Sequence, residues 1–459
     1  MPKKAVAIFF LLAFVGAAIF VYFTFPRTKD QIPSSNNQRL FTPPSKPGPD
    51  GVPVPETVPH PNTPKVPPGP TLRVMAWASE NEAKVLAEQA DAFGAATGRH
   101  ASLTIDGDAA SYRRDLQQAL ASDSPPDVCL VSARDFSGID PRELIDVKPG
   151  DGSAPRSIAA FTINGAIKAA PTEFAVDVLF YNQAQFDQAA IGYPGPHWTW
   201  DILEADARAL ESLKLKDTAG HPIYPLELPA DFDFWNVLCT QAGHPALDLN
   251  VWHLADNDTR DSQMRALDFV HEIFQGLSVT APLPKANEPP GRLFAQQRAS
   301  LLIAPSSLTA ELPKFPYRFT LLPRDLAQAS LAQVNGWAVP AKSSQGDAAR
   351  ALAAYLAFQP VHAGWSSVQK PADDASLEGV CYEALSQAIV PRIEPRSERM
   401  AQFLDQQINL LARNAQEKTD ELYTRIQSEY QASLGIPPIF SSPAKPMPKA
   451  DASGQLRGL

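Results

Sequence analysis

Cysteine is scarce in this chain. Its 459 residues hold three cysteines, Cys129, Cys239 and Cys381, odd in number and far apart. They exclude a disulfide scaffold and any paired-cysteine metal or redox motif. Basic runs are absent too, and the net charge is −10. A phosphate-rich partner needs clustered Lys and Arg, so nucleic acid is excluded and a small or neutral partner is expected. Catalytic signatures are equally sparse. The eight histidines form no HExxH pair, and neither a GxSxG nucleophile turn nor a GxxxxGK[ST] phosphate loop occurs. Asp256-Asn257-Asp258-Thr259-Arg260-Asp261 resembles a calcium loop but fails. Arg260 takes a ligand position, and the glycine and terminal glutamate that such a loop requires are missing. Asp231 and Asp233 are paired carboxylates, yet proximity in sequence does not set the separation that glycoside hydrolysis demands. The expectation is a non-enzyme with no cofactor and no metal.

Proline, by contrast, is abundant. The 45 prolines are nearly one residue in ten, about twice the ordinary usage of roughly 5%. The excess is local: 13 lie between residues 31 and 70 and five between Pro437 and Pro448, leaving an ordinary density in between. With 44% hydrophobic residues, that middle is apolar enough to fold. It is also long enough to need more than one core, since single cores stop growing near roughly 250–300 residues.

The start of the chain reads as an address. Ala5 to Phe25 are 21 uncharged, mostly apolar residues after Lys3 and Lys4. As a helix they would reach about 32 Å, enough to span a hydrocarbon core. The small residues Gly16-Ala17-Ala18 lie inside the run, where a cleavage site would not, so an uncleaved anchor is expected over a cleaved signal. The charge bias puts residues 1–4 in the cytoplasm and everything after the span outside it. No cysteine lies nearby for lipid attachment. Residues 26–70 are expected to be a disordered Pro-rich tether. Its forty most Pro-rich residues could reach roughly 120 Å in polyproline II form. Residues 436–459 are expected to be a disordered tail.

From Leu72 the texture changes. Leu72–Trp77, Ala101–Ile105 and Asp127–Val131 read as strands, separated by amphipathic helices over 82–96 and 112–122. That alternation predicts an α/β fold with a parallel sheet, in which ligands sit at the carboxyl ends of the strands. Trp77 and Glu80 follow the first strand, Asp106 the second, and Ser132 to Asp135 the third.

Further along come a proline-led strand ending in Tyr181-Asn182, then Phe186, a turn at Ile191-Gly192-Tyr193-Pro194 and Thr199-Trp200-Asp201 at a helix start. After them stand Phe294 to Ile303, the return strand Asn335-Gly336-Trp337-Ala338-Val339-Pro340, and a helical tail from Met400 to Leu434. In this order they resemble the family 1 extracellular solute-binding proteins, the sugar-binding class serving ABC importers. The resemblance spans nearly all of residues 71–435. It implies a periplasmic-binding-protein-like (type II) clamp, with lobe 1 at about 71–175 and 326–375 and lobe 2 at about 176–325 and 376–435. The chain would cross between lobes near Glu173–Asp177 and Leu322–Gly336. It also implies a saccharide ligand, ABC permease subunits as partners, and a periplasmic domain held to the inner membrane by one span. A membrane-anchored sensor or envelope interaction module with a degenerate cleft is the other expectation.

A sugar ring offers apolar C–H faces and a rim of hydroxyls, so its site needs flat aromatics beside polar groups in a cleft. Trp77, Phe174, Trp235 and Trp337 are the candidate platforms, and Glu80, Asp135, Glu173, Asp177 and Ser306 the candidate polar contacts. Two positions depart from the family pattern. Met400 stands where the tail often has a tryptophan, and Ala304-Pro305-Ser306-Ser307 replaces a glycine- and aromatic-bearing loop.

Overall fold

The computed structural model describes residues 69–434, apart from 255, 286–287 and 395–396, together with two short strands at 45–47 and 53–55. Those strands pair antiparallel within the proposed tether. The expected membrane span at 5–25 and the tail at 436–459 lie outside the described residues. Among the described residues no helix is long and apolar enough to cross a membrane.

Residues 69–106 fold as their pattern dictates. Strand β1 (Leu72–Trp77) alternates buried and outward side chains. Helix α1 (Glu80–Thr97) opens with a reciprocal capping box between Ser79 and Glu82 and stops at the left-handed Gly98, which satisfies otherwise orphaned backbone groups at both ends. Strand β2 (Ala101–Asp106), helix α2 (Ala109–Ala121, capped by Asp108) and strand β3 (Val128–Ser132) follow. Helix α3 (Ala133–Phe136) begins directly at the end of β3. These three strands are parallel to one another.

The sheet as a whole is mixed, which corrects the parallel expectation. It has ten strands, seven of them on one path: β2, β1, β3, β8 (Ser330–Ala338), β4 (Ala169–Asn182), β6 (Ala299–Pro305) and β5 (Tyr224–Glu227). Strand β4 (Ala169–Asn182) is 14 residues long and buried throughout. Its first half lies antiparallel to β8 (Ser330–Ala338). Its second half pairs with β6 (Ala299–Pro305) and β7 (Tyr317–Thr320), also antiparallel. Strand β5 (Tyr224–Glu227) closes the far edge, parallel to β6. A continuous apolar run is what a strand covered on both faces requires, and β4 carries one because it passes through both halves of the molecule. Gly336 belongs to the second crossing, where a Cβ would sit 2.9 Å from the Ala170 carbonyl oxygen and from the Phe161 ring. The register shift beside Asn335 and Gly336 marks the same crowded point.

Three cores result. One packs β1, α1 and helix α8 (Gly346–Leu356) around Trp337 and Phe93. A second gathers α5 (Trp200–Ser212), α6 (Phe232–Gln241), α7 (Arg260–His271), α10 (Glu398–Arg413) and α11 (Thr419–Ser433) over the far half of the sheet. A third runs along the other face of both halves. Helix α9 (Leu377–Ser386) packs on β4, β8 and helix α4 (Pro155–Ala160), apart from the α10–α11 tail with which the sequence grouped it. The three cysteines are buried and free.

Candidate functional site

A cavity of about 440 Å³ opens where the carboxyl ends of β1 and β3 meet the crossing strand β8. That volume falls within the roughly 300–1,000 Å³ usual for small-molecule sites. One wall is aromatic. Trp77, at the last position of β1, lies 5.2 Å from Tyr112 and 4.9 Å from the His362 ring, and His362 in turn is 5.6 Å from Trp365. Trp77, Tyr112 and Trp365 line the cavity. Tyr112 is held by its hydroxyl, which donates to the Leu130 carbonyl at 2.7 Å.

Glu173 fixes this wall from behind. Its carboxylate accepts four hydrogen bonds: from Asn335 at 2.8 Å, from the His362 ring at 2.5 Å, and from the backbone N–H groups of Val361 and His362 at 2.7 and 3.0 Å. The loop is pinned on its other side by Glu82, which accepts from the Ala363 N–H at 2.8 Å. Burial pulls the His362 pKa down. The hydrogen bond and charge of Glu173, with the charge of Glu82, more than offset this and hold it above its ordinary value.

The rest of the lining includes charged groups. Arg113 pairs with Asp135 at 3.0 Å, and Arg134 on α3 reaches across to Asp233 on α6 at 2.6 Å. The Arg134 carbonyl also accepts from the Ile393 N–H at 3.1 Å, a second bond across the same boundary. Behind them Asp231 caps α6 through the Phe234 N–H at 2.9 Å. Burial, then the neighbouring charge of Asp233, pushes the Asp231 carboxyl up to about 6. Asp177 on β4 is 7% exposed, and burial followed by the charges of Asp231 and Asp233 pushes it well above the carboxylate range.

Of the nine residues singled out from sequence, Trp77 and Asp135 line the cavity. Asp177 stands beside it, on the sheet face of Ala175, which pairs with the cavity residue Gln333. The other six are elsewhere. Glu173 is fully buried behind the wall rather than facing it. Phe174 and Trp337 are core side chains on the crossing strands. Trp235 is buried on α6, its indole N–H donating to the Gln263 carbonyl at 3.4 Å. Ser306 is buried and accepts from the Val176 N–H at 3.3 Å. Glu80 is exposed on the first turn of α1, paired with Lys84 at 3.0 Å. Sequence reasoning passed over Tyr112, Arg113, Arg134, Asp233, Asn335 and Trp365. Arg134 lies inside the flagged segment after the third strand and Asp233 in a noted carboxylate pair. Trp365 sits in a loop with no periodic signal.

The sequence matches the family model for bacterial extracellular solute-binding proteins over residues 77–361. The chain belongs to that family. Solved structures agree on the fold. The cyclic α-maltosyl-1,6-maltose binding protein of Arthrobacter globiformis is 16% identical with a TM-score of 0.65, covering 80% of this chain and 99% of its own. An ABC substrate-binding protein of Listeria monocytogenes in complex with cycloalternan is 15% identical, with a TM-score of 0.62 and coverage of 80% and 99%. UgpB of Mycobacterium tuberculosis, in complex with glycerophosphocholine, is 17% identical, with a TM-score of 0.62 and the same coverage. Comparison with curated proteins returned no match. In this solute-binding protein β8 contributes Leu331, Ala332, Gln333 and Asn335 to the cavity lining, and β4 lies beside it in the sheet.

Proposed function

We propose that this solute-binding protein captures a saccharide in the cavity between its two halves and delivers it to the permease subunits of an ABC importer. The observation that carries the reading is the wall of Trp77, Tyr112 and Trp365 together with two arginine–carboxylate pairs in one small-molecule cavity. Flat apolar faces beside fixed polar groups match the two surfaces of a sugar ring. Structural neighbours with bound cyclic and linear sugars add support. Residues 71–175 with 326–375 and residues 176–325 with 376–435 serve as the lobes, α9 excepted. Residues 5–25 serve as an inner-membrane anchor, and the Pro-rich segment after it as a spacer holding the lobes in the periplasm.

Thermal unfolding of the full-length chain against a panel of mono- and disaccharides tests this. A ligand at 100 times its Kd stabilises the native state by about 2.7 kcal/mol. The expected result is a raised melting temperature with at least one saccharide. Silence from every sugar, with a rise from amino acids or metal ions, refutes it.

A further inference from the structure

The charges lining the cavity balance, but those just behind them do not. Its two arginines are each taken by one carboxylate, Arg113 by Asp135 and Arg134 by Asp233. Asp177 and Asp231 stand behind them without a cation of their own. At the N-terminus of α6, which would ordinarily offset such charge, the Phe232 N–H goes to Asp405 at 2.8 Å and the Phe234 N–H to Asp231 at 2.9 Å. Asp177 is 7% exposed, and among the described residues its carboxylate accepts no hydrogen bond and joins no ion pair. Strand alternation turns it to the sheet face of Gln333 and Leu331, both of which line the cavity. One carboxylate oxygen of Asp233, on the cavity wall, is likewise buried with no partner. Buried polar groups are ordinarily satisfied, and burial beside other acids disfavours the ionised form of Asp177, which a bound cation would restore.

We propose that the cavity is specific for a saccharide bearing a cationic amino group, which sits in the Asp177–Asp233 corner while the sugar ring lies against Trp77 and Trp365. This rests on the saccharide reading above and narrows it. The aromatic wall suits such a ligand twice over, since indole faces attract both C–H surfaces and positive charge. An anionic solute fits poorly, because neither arginine is free of a carboxylate.

The test is isothermal titration of the full-length chain with glucosamine, galactosamine and mannosamine. Each is compared with its neutral parent sugar and its N-acetylated form, which keep the ring and lose the charge. At least one amino sugar is expected to bind ten or more times tighter than both counterparts. In Asp177→Asn that ratio should fall towards one. Asp233→Asn serves the same purpose if the first variant does not fold. Equal affinity for charged and uncharged sugars would overturn the proposal while leaving the saccharide reading in place. Binding of simple diamines with no sugar bound at all would overturn both.

Discussion

Removing the Glu173 side chain should be among the most damaging single changes in the molecule outside the apolar cores. The residue is fully buried, yet its carboxylate gathers Asn335 of β8, the His362 ring and two backbone N–H groups of the loop that carries Trp365. In Glu173→Ala all four donors lose their acceptor inside the protein. A buried unsatisfied donor costs about 1–3 kcal/mol, and removing one partner of a buried ion pair about 3–5 kcal/mol. These terms overlap, so about 4 kcal/mol is expected, read from the urea midpoint by tryptophan fluorescence. Glu173→Gln keeps the shape and part of the acceptor capacity and should lose less. It also isolates the charge. Because the native His362 pKa is raised, the stability it contributes is fully present below the unfolded value of about 6.5 and is lost as pH rises through the native value. The gap between parent and Glu173→Gln should therefore be widest near pH 6 and narrow on the alkaline side. A loss below about 1 kcal/mol in Glu173→Ala, or a gap that widens with pH, would refute the assignment of Glu173 as the anchor of this wall.

Two further predictions separate the site from the core. Trp77→Ala should weaken saccharide binding by roughly 1–3 kcal/mol in titration calorimetry and leave the urea midpoint nearly unchanged, whereas Trp235→Ala and Trp337→Ala should each cost about 3–5 kcal/mol of stability through the cavity left behind. Arg134 and Asp233 should show a coupling of about 0.2–1 kcal/mol in a double-mutant cycle, since both ends keep some solvent contact; independent effects would remove them as a link across the cavity.

The first strands and helices were legible because each carries its own punctuation. Gly98 marks the end of α1 and alternation along Leu72–Trp77 the strand before it, whereas the Ser79–Glu82 capping box went unread and the helix, expected from residue 82, starts at Glu80. Topology beyond β3 was not legible from periodicity. A buried crossing strand such as β4 shows only a continuous apolar run, which fits parallel and antiparallel neighbours alike. Site residues followed the same division. Trp77 and Asp135, picked out because ligands sit at the carboxyl ends of strands in such sheets, do line the cavity. Trp235 and Trp337 were misplaced because an aromatic at a segment end looks the same from sequence whether it faces a cleft or a core. Trp337 lies on a strand covered by helices, and its ring fills the core beneath α8. Trp365 escaped notice for the opposite reason, since its position depends on a loop held by Glu173 from far away in sequence.

That long-range bond gives the two crossing strands and the cavity wall a common member. Glu173 and Asn335 are directly opposed on the two crossing strands, and the same carboxylate that ties them together holds the loop of His362 and Trp365. A rotation that shears β4 against β8 at this point would strain a fully satisfied buried carboxylate. Shear between β4 and β8 is therefore resisted near Glu173. Further along, at Ala175–Asp177, the pairing turns from β8 to β6; the Asp177 carbonyl still accepts from the Ser330 hydroxyl of β8 at 2.7 Å, but among the described residues its carboxylate ties the strands to nothing. An ammonium group arriving beside Asp177 would meet a carboxylate that no strand contact holds, while the aromatic wall stays anchored through Glu173. Closure would then bring the charged corner to the ligand and leave the Trp77 and Trp365 faces where they already stand.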